Sequence, residues 1–185
     1  MTDARDRLFR RIEGRADDLV DLTRELIRLP TVNPPGEGYV ECAELIGRRL
    51  KSKGFQVVFE RAEGTPGDCE KYPRMNVIAR IEGRAPGPCV HFNSHIDVVP
   101  AGNGWTVDPF RGEVREGRVY GRGACDMKGG LAASIIAENF RIAPNSAKLN
   151  ASSQRTINCS RNSGTISLRS AAFCRTASAI SSEEM

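Results

Sequence analysis

The chain has 185 residues, of which 39% are hydrophobic and 27% are charged, a composition typical of one globular domain with or without an appendage. Its net charge of +4 is small and no basic run carries interleaved aromatic residues, so the composition argues against a nucleic-acid-binding protein. No segment approaches the ~18 apolar residues of a membrane span or a signal peptide, which predicts a cytoplasmic protein without a membrane partner.

The first 28 or so residues carry the pattern of an amphipathic helix. Apolar residues recur at helical spacing through residues 6–29, and the three prolines of residues 30–38 end the pattern. A second helical pattern covers residues 39–54, with Gly54 as its expected C-terminal cap, and the apolar run FQVVFE then predicts a strand. The sequence therefore predicts two helices followed by the first strand of a sheet.

The chain from residue 74 onward is rich in strand patterns. Residues 74–83 and 88–95 are predicted strands, and residues 112–121 are predicted to form a hairpin that turns at Glu116-Gly117. Residues 126–140 then carry a helical pattern. The order of these elements predicts an α/β domain in which helices pack on a mixed sheet.

The composition changes abruptly near residue 144. Three serines occur in residues 1–143, whereas the 42 residues from Pro144 contain ten serines and no aspartate. This stretch shows no sustained helix or strand period. We therefore divide the chain into a domain of residues 1–143 and an irregular Ser/Arg-rich tail of residues 144–185, which is predicted to be disordered or to result from a shifted reading frame.

Both histidines of the chain lie in the stretch HFNSHIDVVP, residues 91–100. If the preceding strand is central, His95 and Asp97 lie at its end and on the same side of an extended chain. A metal-bound histidine usually donates its second ring N–H to a carboxylate, which Asp97 can supply. The His-x-Asp triplet alone is also compatible with a hydrogen-bonded structural histidine, and that interpretation is favoured for His91.

A glycine-rich segment places a second acidic residue 31 positions after His95. In VYGRGACDMKGG, Asp126 stands between two glycine pairs, just before an apolar helical run. The dinucleotide fingerprint G-x-G-x-x-G is excluded because Asp126 replaces its last glycine, and a carboxylate there faces a pyrophosphate unfavourably. No Gly-Lys-Ser/Thr follows at the spacing of a phosphate loop. Asp126 is better suited to bind a cation.

These motifs together resemble the zinc hydrolase family that includes acetylornithine deacetylase, succinyl-diaminopimelate desuccinylase, aminoacylase and glutamate carboxypeptidase. The resemblance covers about residues 5–143. Its motifs occur in the family's order, namely HIDVVP at residues 95–100, the loop with Trp105 and Asp108-Pro109-Phe110, YGRG at residues 120–123 and DMKGG at residues 126–130.

The resemblance implies the N-terminal portion of a zinc-exopeptidase-like catalytic domain. It implies that His95 binds one of two zinc ions, that Asp126 bridges both ions and that Asp97 is a catalytic residue orienting His95; cobalt is a possible substitute metal and no other cofactor is implied. The implied substrates are small N-acyl amino acids or small peptides, whose amide bond is attacked by an activated water.

The resemblance also implies groups that this sequence lacks. No histidine follows His95 and no aspartate follows Asp126, so the second zinc ion lacks its expected ligands. The inserted domain through which family members form homodimers has no counterpart either. We therefore expect a truncated member that is inactive alone, or a non-catalytic remnant or binding module; a di- or tripeptidase remains an alternative to a deacylase. A cis peptide bond after Asp126 is a further expectation from the family.

Overall fold

The computed structural model describes residues 3–82 and 91–137, together with the strand segments Arg155–Asn158 and Thr165–Arg169. The predicted α/β architecture is confirmed over this part of the chain. Its elements, in chain order, are α1 (Ala4–Glu13), α2 (Ala16–Ile27), α3 (Tyr39–Lys51), β1 (Gln56–Arg61), β2 (Met75–Ile81), β3 (His91–His95), β4 (Glu113–Arg115), β5 (Arg118–Tyr120), α4 (Gly129–Ala137), β6 (Arg155–Asn158) and β7 (Thr165–Arg169).

The single N-terminal helix predicted from the sequence is two helices in the structure. The break falls at Gly14, whose main-chain N–H donates to the carbonyl oxygen of Arg10 and ends α1. Glycine is a poor helix former, and the acidic residues Asp17 and Asp18 suit the first turn of a new helix. As a result Leu8 and Ile12 on α1, which the pattern assigned to the core, are exposed.

The main sheet contains five strands in the order β1-β2-β6-β3-β7. Strands β1 and β2 form an antiparallel pair, and β3 runs parallel to β6 and antiparallel to β7. The separate β4-β5 hairpin turns at Glu116-Gly117, as predicted, and both turn residues have positive φ. That turn geometry matches the twist of the two strands.

Strands β6 and β7 lie in the tail of residues 144–185, for which the sequence predicted no regular structure. The sequence predicts little order after residue 143 and an open sheet edge beside β3, whereas the structure pairs β3 with a tail segment on each side. The few apolar residues of the tail are scattered among Ser, Arg, Asn and Thr, so no period of 2 is sustained beyond a short stretch. The rest of residues 144–185 lies outside the described residues, so its predicted disorder or frame shift stays a prediction.

The core lies between the helices and the sheet. Helix α3 packs on β1 and β2, and α2 packs on α4. Fully buried side chains of the core include Leu26, Ile46, Val77, Ile96 and Leu131. On the outer side, Arg49 on α3 donates to both carboxylate oxygens of Glu25 on α2, at 2.6 and 2.7 Å. No helix among the described residues combines the length and apolar character that crossing a bilayer requires.

Candidate functional site

The end of strand β3 is fixed by the loop that follows α2. After His95 the chain continues through the buried Ile96, and Val98 pairs with Val32 in an isolated parallel bridge. The Thr31 hydroxyl donates to the carbonyl oxygen of Ile96. Because residues 96 and 98 face the interior, the intervening Asp97 faces the same side as His95.

The second half of the site is the Asp126 turn, Ala124–Lys128. It is helical at its ends but has non-helical dihedral angles at Asp126 and Met127, and the peptide bond between them is cis, as expected from the sequence resemblance. The helical pattern predicted from residue 126 therefore starts only at Gly129. The turn also contacts β3 directly, because the main-chain N–H of His95 points at the sulfur of Met127, 3.4 Å away.

The structure brings the three site residues predicted from the sequence together. The Nε2 atom of His95 lies 2.9 Å from Oδ1 of Asp126. The Asp126 side chain is 88% exposed, whereas that of His95 is 28% exposed. The imidazole thus projects from the sheet edge toward a carboxylate that is open to solvent.

Asp97 lies behind the imidazole ring. The Nδ1 atom of His95 is 3.1 Å from the main-chain oxygen of Asp97 and 3.2 Å from its carboxylate Oδ1. The hydrogen-bond geometry favours the main-chain oxygen, and Oδ1 is buried without a hydrogen-bond partner among the described residues. Two oxygens of one residue therefore face Nδ1, which leaves Nε2 as the ring nitrogen directed at Asp126.

A cavity of about 350 Å³ opens beside these side chains. It is lined by the three site residues, by Val98 and Val99 and by the glycine-rich segment 121–125, and its volume is within the usual range for small-molecule sites. Its carboxylates are those of Asp97 and Asp126, and its guanidinium is that of Arg122.

The donor atoms at this cavity fit a divalent metal ion. Imidazole nitrogen and carboxylate oxygen are ligands that zinc accepts, with bonds of about 2.0–2.2 Å, so two donors 2.9 Å apart can contact one ion. Among the described residues no group of three or more His, Cys, Asp or Glu side chains is arranged for a metal. The described residues therefore offer one nitrogen and one carboxylate ligand.

Arg122 holds the loop that contains Ala101 and Trp105 in place. Its Nη2 donates to the carbonyl oxygen of Ala101 at 2.6 Å, and its guanidinium lies over the Trp105 ring at 5.3 Å from the centroid. The Trp105 Nε1–H donates to the same carbonyl at 2.8 Å. The YGRG and Trp105 motifs, separate in the sequence, thus form one structural unit.

Lys128, the last residue of the Asp126 turn, is a buried cation. Its ammonium donates to the carbonyl oxygens of Leu26 and Leu29 at the end of α2, at 2.8 and 2.7 Å. Burial lowers the pKa of this lysine from 10.5 to about 8, while the nearby Cys42 and Asp97 act in the opposite direction. Burial likewise raises the pKa of the Cys42 thiol to about 11.

This burial predicts a pH dependence of stability. Between about pH 8 and 10.5 the unfolded chain keeps the Lys128 proton that the folded chain releases, so the free energy of unfolding rises with pH, by at most about 1.4 kcal/mol for each unit of the shift. Cys42 opposes this between about pH 9 and 11, because there the folded thiol keeps a proton that the unfolded thiol loses. The measurement is urea unfolding of the wild type and Lys128→Met in metal-free buffer, and the difference between the two proteins contains the Lys128 contribution and the interaction of Lys128 with Cys42. A difference between the two proteins that stays flat from pH 7 to 10.5 contradicts the lowered pKa.

The sequence of this region matches a known protein family. Residues 91–144 match the model of Peptidase family M20/M25/M40. The succinyl-diaminopimelate desuccinylase of Rhodospirillum centenum is 43% identical over 124 residues, which are 66% of this chain and 30% of that protein. The enzyme of the same name from Rhizorhabdus wittichii is 44% identical over 121 residues, which are 65% and 29% of the two chains.

Solved structures show the same fold. Human carnosine dipeptidase 1 superposes with a TM-score of 0.61 at 25% sequence identity, over 71% of this chain and 29% of the dipeptidase. An M20 family metallo-carboxypeptidase from Sulfolobus solfataricus gives a TM-score of 0.56, also at 25% identity, over 74% and 29% of the two chains.

Helices pack on a mixed sheet, and a histidine and a carboxylate lie 2.9 Å apart beside a cavity at the end of a strand. The family match of residues 91–144 and these relatives confirm the resemblance found in the sequence. The chain spans about 30% of the length of the curated relatives that it matches.

The sequence reasoning missed two residues behind Asp97. Asn33 donates from Nδ2 to Oδ2 of Asp97 at 3.2 Å, and Arg74 donates from Nη2 to Oδ1 of Asn33 at 3.1 Å. They lie 64 and 23 positions before Asp97 in the sequence, so only the fold reveals their proximity. The one available signal was Asn33 itself, a hydrogen-bonding residue between the Thr-Val and Pro-Pro pairs of the loop.

Proposed function

We propose that this chain carries part of the active site of a metal-dependent amide hydrolase that acts on N-acyl amino acids. His95 and Asp126 are the metal ligands, with zinc as the first candidate and cobalt as a substitute, and Asp97 positions His95. The observation that carries the proposal is the 2.9 Å approach of His95 Nε2 to Asp126 Oδ1 at the mouth of the cavity. The names of the most similar curated relatives favour N-succinyl amino acids as substrates.

The residues of the chain have separate tasks in this proposal. His95 presents Nε2 to the ion because its Nδ1 is held by the main-chain oxygen of Asp97. Asp126 is exposed enough to reach a second donor group or a second ion on its far side. When bound, the metal ion polarises the substrate carbonyl and lowers the pKa of water.

The described cavity offers no further carboxylate as a general base. Its two carboxylates are those of Asp97, which faces His95, and Asp126, the proposed ligand. We therefore expect the 185-residue chain to bind metal without measurable turnover. The cytoplasmic location, and the absence of the domain through which family members form homodimers, stay predictions.

The test is metal binding by calorimetry with the full chain and three variants. We expect one zinc ion per chain in the wild type, a more than tenfold loss of affinity in His95→Ala and Asp126→Asn, and little change in His91→Ala. His91 is the matched control because it is the other histidine of the chain, lies on the same strand and does not line the cavity. Equal effects of the two histidine variants, or no binding by the wild type, contradict the proposed ligands.

A dipeptidase is a second candidate function. It is favoured by the structural similarity to human carnosine dipeptidase 1. N-succinyl amino acids, N-acetyl amino acids and dipeptides, each added to the zinc- or cobalt-loaded chain, distinguish the candidates by which one protects the chain most against thermal unfolding. Stabilisation by the dipeptides alone contradicts the deacylase assignment.

A further inference from the structure

Three side chains form a hydrogen-bonded series that ends at the candidate metal site. We infer that Asn33 and Arg74 are positioning residues for this site, and that they act on His95 through the carboxylate of Asp97. The inference rests on the proposed function, because it concerns the same metal ligand. Neither residue touches the cavity, so both belong to its support and not to its lining.

The amide of Asn33 can satisfy both of its neighbours in one orientation only. Arg74 is solely a donor and an ionised Asp97 is solely an acceptor, so the amide oxygen must face Arg74 and the amide nitrogen must face Asp97. This orientation fixes the rotation of the Asp97 carboxylate, because Oδ2 is held by Asn33. The other oxygen, Oδ1, is thereby kept 3.2 Å from Nδ1 of His95.

The guanidinium of Arg74 lies in a slot formed by two glycines and an aromatic ring. A side-chain carbon added at Gly36 would lie 2.1 Å from Nη1, and one added at Gly67 would lie 2.3 Å from Nη2. The Tyr39 ring forms the third wall, with its centroid 5.1 Å from the guanidinium carbon. Such a slot restricts the rotamers of a long side chain and aims Nη2 at Asn33.

Arg74 and Asn33 are both anchored through their main-chain atoms. The N–H of Arg74 donates to Oδ1 of Asp68 at 2.9 Å, and its carbonyl oxygen accepts from Ala62 at 2.8 Å. The N–H of Asn33 donates to the carbonyl oxygen of Val98 at 2.9 Å, next to Asp97 itself. The loop before α3 and the entry to β2 are therefore both fixed relative to the end of β3.

The neutral amide also has an electrostatic consequence. A direct Arg74–Asp97 ion pair would neutralise the carboxylate, whereas a bridging amide leaves its negative charge available to the imidazole. A carboxylate beside the second ring nitrogen strengthens a histidine as a metal ligand, and loss of such support typically costs about 10–100-fold in metal affinity.

The experiment is a double-mutant cycle on zinc and cobalt affinity, measured with the full chain at one pH by competition with a chromophoric chelator. We expect a loss of about tenfold in Asn33→Ala and a smaller loss in Arg74→Met, partly rescued in Arg74→Lys. The double variant should be no weaker than Asn33→Ala, because Arg74 acts through Asn33. Arg49→Met is the matched control, since it removes another guanidinium, which pairs with Glu25 on the surface of α3, away from the site.

Two further readouts separate positioning from a general loss of structure. The visible spectrum of the cobalt-saturated chain should change in Asn33→Ala and Arg74→Met but not in Arg49→Met, because the spectrum reports the orientation of the ligands. Urea unfolding identifies any variant that fails to fold, and Arg74→Lys then replaces Arg74→Met in the cycle. Additive losses in the cycle, or wild-type affinity and spectrum in both single variants, overturn the inference alone. Absence of His95-dependent metal binding in the wild type overturns the proposed function and the inference with it.

Discussion

Replacement of Lys128 with alanine is expected to lower the free energy of unfolding by about 3 kcal/mol. The fully buried ammonium donates to the carbonyl oxygens of Leu26 and Leu29 where α2 ends. Leu26 also accepts from the main-chain N–H of Leu29, and Leu29 from that of Thr31, so alanine removes one donor from each oxygen and opens a cavity where the aliphatic stem packs. Burial lowers the pKa of the lysine because it disfavours the charged form, so loss of the buried charge offsets part of this cost.

Urea unfolding followed by circular dichroism measures this loss. Lys71→Ala is the control, because Lys71 is exposed and contacts only the ring of its neighbour Tyr72 among the interactions described. Its replacement should change the free energy of unfolding by less than about 0.5 kcal/mol. If the two variants unfold alike, Lys128 does not support the end of α2.

The sequence predicts the elements that carry the site because their signals are local. The strand ending at His95, the turn at Glu116-Gly117 and the apolar helix after Asp126 each follow from fewer than fifteen residues. His95 and Asp126 lie 31 positions apart, and residues alone show only that both suit a cation. Their order and spacing within a family motif placed them at one site, and the 2.9 Å contact agrees with that placement.

Features that depend on contacts between distant segments were not predictable from the sequence. The periodic pattern of residues 6–29 continues through Gly14, yet Leu8 and Ile12 find no partner among the described residues that buries them. The pairing of β6 and β7 with β3 depends on the sheet, since polar and apolar residues alternate only over short stretches of the tail such as TISLR. The Arg74–Asn33–Asp97 series likewise depends on the loop before α3 and the start of β2 meeting at one edge.

The second large effect is expected at Gly123, the glycine that precedes the Asp126 turn. Gly123→Ala is expected to destabilise the chain by about 3 kcal/mol and to weaken metal binding more than tenfold. Gly123 has φ of +82°, a conformation that L side chains avoid, and an added Cβ would lie 2.4 Å from the buried Val98. Relief of that clash must move either Val98, which is adjacent to Asp97, or the turn that carries Asp126.

Gly102→Ala separates the cost of the positive φ from the cost of the clash with Val98. Gly102 also has a positive φ, +72°, but an added Cβ there would meet no atom within 4 Å. Its replacement should therefore cost only the backbone term of about 1 kcal/mol and leave zinc affinity unchanged. Urea unfolding and zinc titration of both variants give the comparison. If Gly123→Ala loses no more stability or zinc affinity than Gly102→Ala, the contact between the Asp126 turn and Val98 does not hold Asp126 opposite His95.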